Sequence, residues 1–122
     1  MSTAMPTPDV PHPELATSLP VLRVRLEEQR EFRIEQLVDL AAEELAAEEL
    51  ASAAAAGERA RDEMSALLAA AARQALADIE SALRRMATGR YGTCLSCGVP
   101  IELPRLYAVP QTACCQSCQR GA

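Results

Sequence analysis

Two pairs of cysteines lie near the C-terminal end of the 122-residue chain. Cys94 and Cys97 form the first pair, Cys115 and Cys118 form the second, and seventeen residues separate the pairs. Two residues between paired thiols allow a tight turn to direct both sulfurs at one ion, and two such turns complete a tetrahedron around zinc. A shell of four thiolates leaves no position open for water. We therefore predict one structural zinc ion and no catalytic metal.

The fifth cysteine, Cys114, directly precedes Cys115 and has two interpretations. It is either a spare thiol or a redox-sensitive thiol that exchanges with the neighbouring ligand and releases zinc. It could also replace Cys115 as a ligand, although the two-residue spacing to Cys118 favours Cys115. We do not expect this protein to be an enzyme, because its sequence offers no nucleophile–base pair and no phosphate-binding loop.

The charge of the chain favours a protein partner. The formal net charge is −5, and all twelve basic residues are arginine. An acidic chain is a poor candidate for binding nucleic acid through its phosphates. No stretch is long and apolar enough to span a membrane, and no secretory signal is visible. We therefore expect a cytoplasmic protein whose thiols stay reduced.

Two amphipathic helices precede the cysteines and must position them. The first is predicted to run from about residue 19 to about residue 51, and the second from about Glu58 to Ala87, where Gly89 follows as a capping residue. The glycine at position 57 suggests a break between them. The predicted apolar stripes are Leu19, Leu22, Leu26, Ile34, Leu37, Ala41 and Leu45 in the first helix, and Met64, Leu68, Ala71, Ala75, Ile79, Ala82 and Met86 in the second.

These features predict an all-α fold with a small zinc module. Residues 1–18 are rich in proline and are expected to form a disordered N-terminal arm. Residues 19–88 are expected to form a long antiparallel helical hairpin, or coiled coil, with its tip near residues 51–61. Residues 89–122 are expected to form the four-cysteine zinc finger.

The sequence around the cysteines is similar to that of a known family. Residues 89–98, then Ile101, then residues 105–110 and the second cysteine pair, resemble the DksA/TraR-type zinc-finger family. The match is specific over residues 88–118 and looser over the hairpin. Such proteins bind bacterial RNA polymerase directly, without sequence-specific DNA contact. The resemblance implies transcription regulation by a hairpin inserted in the secondary channel, often alongside ppGpp, and we expect a monomer.

The predicted hairpin tip departs from the family pattern. Well-studied members carry paired aspartates there, whereas this chain has alanine at the corresponding positions, near Ala51 and Ala54. Candidate partner-binding residues are therefore the nearest acidic side chains, with one arginine of the matching motif. They are Glu48, Glu49, Glu58, Asp62, Glu63 and Arg105.

Two alternative functions remain open at this point. The alanine-rich tip would also suit a structural or adaptor protein that uses its coiled coil for self-association or for another partner. A redox- or zinc-responsive sensor would instead use Cys114 to trigger metal release.

Overall fold

The computed structural model describes residues 13–50 and 55–121, and the side chains of residues 13–48 and 61–121. Its elements are α1 (Pro13–Leu50), α2 (Ala55–Ala87), α3 (Leu103–Ala108) and α4 (Gln116–Gly121), and the described residues contain no strand. The helices α1 and α2 form a hairpin, and the cysteines follow it. The predicted fold class, an all-α hairpin with a zinc module, is confirmed. Among the described residues, no helix combines the length and apolar character needed to cross a membrane.

Helix α1 begins at Pro13, earlier than the sequence suggested, so residues 13–18 are helical and not part of a disordered arm. Proline suits a first helical turn, where its missing N–H would have no partner anyway. The earlier start buries Leu15 completely, which contributes about 1.5–3 kcal/mol. That gain offsets much of the roughly 3 kcal/mol cost of Pro20 inside the helix. Residues 1–12 of the predicted arm lie outside the described residues.

The predicted turn between the long helices is only partly described. Helix α1 ends at Leu50 and α2 begins at Ala55, so Gly57 is helical and does not mark the break. The neighbouring alanines are the strongest helix formers and extend α2 through this glycine. Residues 51–54, which include Ala51 and Ala54, lie outside the described residues. That alanines occupy the hairpin tip, where well-studied relatives have aspartates, therefore stays a prediction.

The buried face of α2 differs from the predicted stripe in its first half. Ile79 and Ala82 are buried as expected, but Met64 and Leu68 are 57% and 45% exposed. Ala71 is also exposed, whereas its neighbour Ala72 is fully buried. The prediction that Met64, Leu68 and Ala71 form the hairpin seam was therefore wrong, and so was the prediction for Ala41 and Leu45 of α1, which are exposed.

A seven-residue repeat explains this difference. Among the partly or fully buried positions of α2, one set recurs at alternating steps of four and three residues, with Ala75 and Ala82 beside it: Ser65, Ala69, Ala72, Leu76, Ile79, Leu83 and Met86. This period of about 3.5 residues is the one that keeps a seam facing its partner in a coiled coil. The predicted stripe has a longer period of about 3.7 residues, closer to that of a straight helix. The large apolar side chains of the first half consequently lie on the outside.

The chain divides into two compact units along its long helices. One unit combines the start of α1 and the end of α2 with all residues up to 121, and the other is Gln29–Ala77. The core of the first unit contains Leu15, Leu22, Leu26, Ile79, Ala82, Tyr91, Cys94, Ile101 and Leu106. Helix residues and zinc-module residues thus share one hydrophobic core. This shared core fixes the module to the two helices.

The end of α2 leads directly into this module. Gly89 has a positive φ of 75°, a conformation that glycine adopts without steric cost. The amide of Arg90 donates to the carbonyl of Arg85 at 2.8 Å, and the amide of Gly89 donates to that of Met86 at 3.3 Å. These bonds close the helix in the manner of a glycine C-cap, as the sequence indicated.

Candidate metal centre

The sulfurs of four cysteines converge at one point of the first unit. The Sγ atoms of Cys94, Cys97, Cys115 and Cys118 all lie within 4.8 Å of one another, and those of Cys97 and Cys115 are 3.8 Å apart. A tetrahedron with zinc–sulfur distances of about 2.3 Å has edges of about 3.8 Å. The four predicted ligands therefore have the spacing that one zinc ion requires.

The first pair is held by its own loop, residues 93–100, which we call the first knuckle. The amide of Cys94 donates to the carbonyl of Val99 at 2.8 Å, and the amide of Gly98 donates to the carbonyl of Cys94 at 2.9 Å. Gly98 has a φ of +79°, in the left-handed region that favours glycine. An antiparallel bridge between Thr93 and Pro100 closes the loop. These bonds close the turn within the first knuckle, and the amide of Leu95 joins the knuckle to the carbonyl of Ala113 at 2.8 Å.

The second pair lies at the boundary between a loop and a short helix, residues 112–118, which we call the second knuckle. Cys115 directly precedes α4, and Cys118 lies within it. The amide of Gln119 donates to the carbonyl of Cys115 at 3.0 Å, which is the first helical bond. One helical turn therefore sets the distance between these two sulfurs.

Both long helices attach to the module by hydrogen bonds to backbone carbonyls. Arg25 of α1 donates through Nη1 to the carbonyl of Tyr107 at 2.6 Å. Arg85 of α2 donates through Nη2 to the carbonyl of Thr112 at 3.2 Å. Sequence reasoning missed both arginines, because a guanidinium–carbonyl contact between distant segments leaves no local pattern.

The thiols of Cys94 and Cys118 differ in acidity because their surroundings differ. The pKa of Cys94 is lowered to about 5, chiefly because the backbone N–H of Cys115 donates to its sulfur, with further donation from Cys97 and Ser96. The pKa of Cys118 is raised, because hydrogen bonds with the thiols of Cys97, Cys115 and Cys94 favour its neutral form. Zinc binds thiolates, so metal binding releases protons from this cluster, and affinity rises with pH.

The fifth cysteine is not part of the cluster. The sulfur of Cys115, and not that of Cys114, lies with the other three. Cys114 is partly buried, and its Sγ lies 3.6 Å from the hydroxyl oxygen of Ser96. Arg105, predicted to contact a partner, is also partly buried and donates through Nε to the carbonyl of Cys114 at 3.0 Å. Arg105 therefore has a structural contact within the module.

The acidic candidates of the hairpin lie apart from the metal cluster in the chain. Glu48, Asp62 and Glu63 are exposed, and all three belong to the unit Gln29–Ala77. The side chains of Glu49 and Glu58 lie outside the described residues. A role for any of these residues in binding a partner stays a prediction.

Tyr91 links the first knuckle to the loop before the second. It is 2% exposed, and its hydroxyl donates to the carbonyl of Pro110 at 2.7 Å. We expect Tyr91→Phe to lower the free energy of unfolding by about 1–3 kcal/mol, because a buried carbonyl loses its partner. Urea unfolding of the zinc-loaded protein at neutral pH measures this change. Tyr107→Phe is the control. Equal destabilisation by both variants would contradict a specific stabilising role for the hydrogen bond between Tyr91 and the carbonyl of Pro110.

The same residue gives a pH dependence. Burial raises the pKa of Tyr91 to about 12, whereas an unfolded tyrosine titrates near 10. Between these values the unfolded chain has lost a proton that the folded chain retains, so this contribution to stability is complete below about pH 10 and declines above it. In Tyr91→Phe, which has no phenol at this position, the free energy of unfolding should therefore decline less between pH 10 and 12 than in the wild type.

Comparison with known proteins identifies the module. Residues 89–122 match the prokaryotic dksA/traR C4-type zinc finger. An uncharacterized protein of Aquifex aeolicus (strain VF5) is 44% identical over 43 residues, which are 35% of this chain and 30% of the length of that relative. The solved structure of transcription factor DksA2 from Pseudomonas aeruginosa is 26% identical, with a TM-score of 0.72 over 86% of this chain and 82% of that chain. The resemblance seen in the sequence is confirmed, and the metal of the cluster is zinc.

Proposed function

We propose that this chain, whose residues 89–122 form a DksA/TraR-type zinc finger on a DksA-like hairpin fold, is a transcription regulator that binds bacterial RNA polymerase directly. The observation that carries the proposal is the shared fold, because the likeness to a transcription factor extends over the hairpin as well as the zinc finger. In this proposal the hairpin enters the secondary channel of the polymerase. The protein acts as a monomer in the cytoplasm.

The zinc finger supports this role without doing chemistry. Its four thiolates fill the coordination shell of zinc, so no position remains for a substrate or a water. Its residues share a core with both long helices and bind them through Arg25 and Arg85. The zinc ion therefore stabilises the part of the molecule from which the hairpin continues, and the hairpin carries the activity.

The charge of α1 favours a protein surface over nucleic acid. From residue 34 to residue 48 this helix contains no basic residue and five acidic ones: Glu35, Asp39, Glu43, Glu44 and Glu48. Such a segment repels phosphates and attracts a basic protein surface. We propose Glu48, Asp62 and Glu63 as exposed contact residues, and we retain Glu49 and Glu58 as candidates. Arg105 is a weaker candidate, because its Nε already bonds within the module.

Binding to the cognate core polymerase tests the proposal. We expect the zinc-loaded protein to bind immobilised polymerase with a dissociation constant at or below the micromolar range and to change transcription from a ribosomal promoter. The double variant D62N/E63Q should bind about tenfold more weakly, a loss of about 1.4 kcal/mol. The control E28Q/E31Q removes the same charge from exposed positions of α1 outside this acidic segment and should bind within about twofold of the wild type.

Two results would count against parts of this account. No association at micromolar protein would reject polymerase binding. Normal binding of D62N/E63Q, or equal loss in both double variants, would reject the assignment of Asp62 and Glu63 while leaving the polymerase as the partner.

The exposed row on α2 favours a second candidate function. Met64, Leu67 and Leu68 are 57%, 66% and 45% exposed, and the two leucines lie three and four residues after Met64, on the same face of the helix. An adaptor that self-associates through a coiled coil would cover such a row. Light scattering would detect a stable dimer, and a dimer without polymerase affinity would select this function.

A redox sensor using Cys114 predicts zinc loss under mild peroxide in the wild type but not in Cys114→Ser.

A further inference from the structure

The two zinc knuckles are supported in different ways. Two backbone hydrogen bonds inside the first knuckle, Cys94–Val99 and Gly98–Cys94, shape its turn. The start of the second knuckle has no backbone–backbone bond of this kind, and its internal bonds run between the hydroxyl of Thr112 and the backbone of Cys114. Helix α4 begins only at Gln116, after Cys115, so the orientation of residues 112–114 also depends on donors from other segments.

Three consecutive carbonyls before Cys115 each accept a hydrogen bond. The carbonyl of Thr112 accepts from Nη2 of Arg85 at 3.2 Å, and the carbonyl of Ala113 accepts from the amide of Leu95 at 2.8 Å. The carbonyl of Cys114 accepts from Nε of Arg105 at 3.0 Å and from the hydroxyl of Thr112 at 3.0 Å. These contacts orient the three peptide groups that lead into the second pair of ligands.

Among these donors, Arg85 alone comes from the hairpin. It lies on α2, it is only 9% exposed, and its second nitrogen, Nη1, donates to the hydroxyl of Ser81 at 2.8 Å. The bond to Ser81, one helical turn away, fixes the direction of the guanidinium. A buried guanidinium is costly unless it is bonded, and burial lowers the pKa of Arg85. The buried guanidinium of Arg85 therefore depends on its hydrogen bond to the carbonyl of Thr112.

We propose that Arg85 is a positioning residue for zinc: from the hairpin, it orients residues 112–114 so that Cys115 and Cys118 meet the sulfurs of the first knuckle. Zinc affinity then depends on a helix that contributes no ligand. Groups that hydrogen-bond directly to a metal ligand typically change metal affinity 10–100-fold, and Arg85 acts on residues 112–114, next to the ligand Cys115. The proposal does not depend on binding to RNA polymerase.

The affinity of the full-length protein for zinc tests this assignment. We expect Arg85→Gln to bind zinc 10–100-fold more weakly than the wild type in competition with a chromophoric chelator of known affinity. Arg84→Gln removes the same charge from the preceding, exposed position and should bind zinc within about twofold of the wild type. Affinity unchanged in Arg85→Gln, or equally reduced in both variants, would overturn the proposal.

A second measurement separates positioning from general loss of stability. Pulsed alkylation and mass spectrometry of the zinc-loaded protein report the reactivity of each thiol. If Arg85 positions the second knuckle, Cys115 and Cys118 become alkylated several-fold faster in Arg85→Gln, while Cys94 and Cys97 keep their wild-type rates. Equal acceleration at all four thiols would mean that Arg85 only stabilises the fold.

A milder variant covers the case in which Arg85→Gln does not fold. Arg85→Lys keeps the cation and the aliphatic stem but cannot bond Ser81 and Thr112 through the two arms of a guanidinium. We expect it to show the same selective alkylation of Cys115 and Cys118, to a smaller extent. Wild-type reactivity at both thiols in Arg85→Lys would overturn the proposal.

Discussion

Replacing a zinc ligand should remove both the metal and the fold of residues 89–121. We expect Cys97→Ser to contain less than about 0.1 zinc per chain, against one in the wild type, because three thiolates bind this ion far more weakly than four. Structural zinc contributes apparent binding free energies of about 10–16 kcal/mol in small zinc peptides, as much as the whole stability of a typical domain. Elemental analysis after desalting gives the stoichiometry. Hydrogen exchange should show lost protection at the amides of Cys94, Leu95 and Ile101.

The neighbouring fifth thiol provides the control for this experiment. Cys114→Ser changes the same atom in the residue next to a ligand, but the Cys114 sulfur lies outside the cluster. We expect one zinc per chain and wild-type amide protection in Cys114→Ser. A full zinc content in Cys97→Ser, or zinc loss in Cys114→Ser under reducing conditions, would contradict the ligand set.

The second large effect should come from the core that the hairpin and the zinc module share. Leu26 is fully buried in this core. We expect Leu26→Ala to lower the free energy of unfolding by about 2–5 kcal/mol, because the substitution removes apolar contacts and leaves a cavity. Urea unfolding of the zinc-saturated protein, followed by circular dichroism, measures the loss.

An exposed leucine of the same helix gives the matched control. Leu45 is 63% exposed, so Leu45→Ala should change the free energy of unfolding by less than about 0.5 kcal/mol. A loss in Leu26→Ala no larger than that in Leu45→Ala would mean that Leu26 is not a core residue.

The zinc centre could be predicted from sequence because its information is local. Two residues between thiols describe a turn, and Gly98 supplies the conformation that the turn requires. The register of the hairpin could not be predicted in the same way. The largest side chains in the first half of α2, Met64 and Leu68, suggested a seam, but the seam follows the heptad through Ala69 and Ala72. The predicted stripe continued from Leu68 to Ala71 at a straight-helix period, whereas the coiled-coil period of about 3.5 residues selects Ala72.

The tertiary contacts of arginine were beyond sequence reasoning. Arg25, Arg85 and Arg105 all donate to carbonyls of the zinc module, yet in sequence they look like ordinary charges on helix faces. Helix α1 likewise starts before Pro20 because Leu15 has a core to enter, and that core exists only after residues far along the chain have folded. The start of α1 thus depends on burial against residues distant in sequence, which local helix propensity cannot reveal.

In the proposed function, the hairpin of this protein enters the secondary channel of RNA polymerase. Site-specific photo-cross-linking tests it most directly, with a benzophenone amino acid at Leu45, which is exposed on α1 in the unit Gln29–Ala77. With the cognate core polymerase, mass spectrometry of the cross-linked peptides should identify residues that line the secondary channel. Cross-links confined to the outer polymerase surface, cross-links only to a second copy of this chain, or no polymerase cross-link at all would contradict the account.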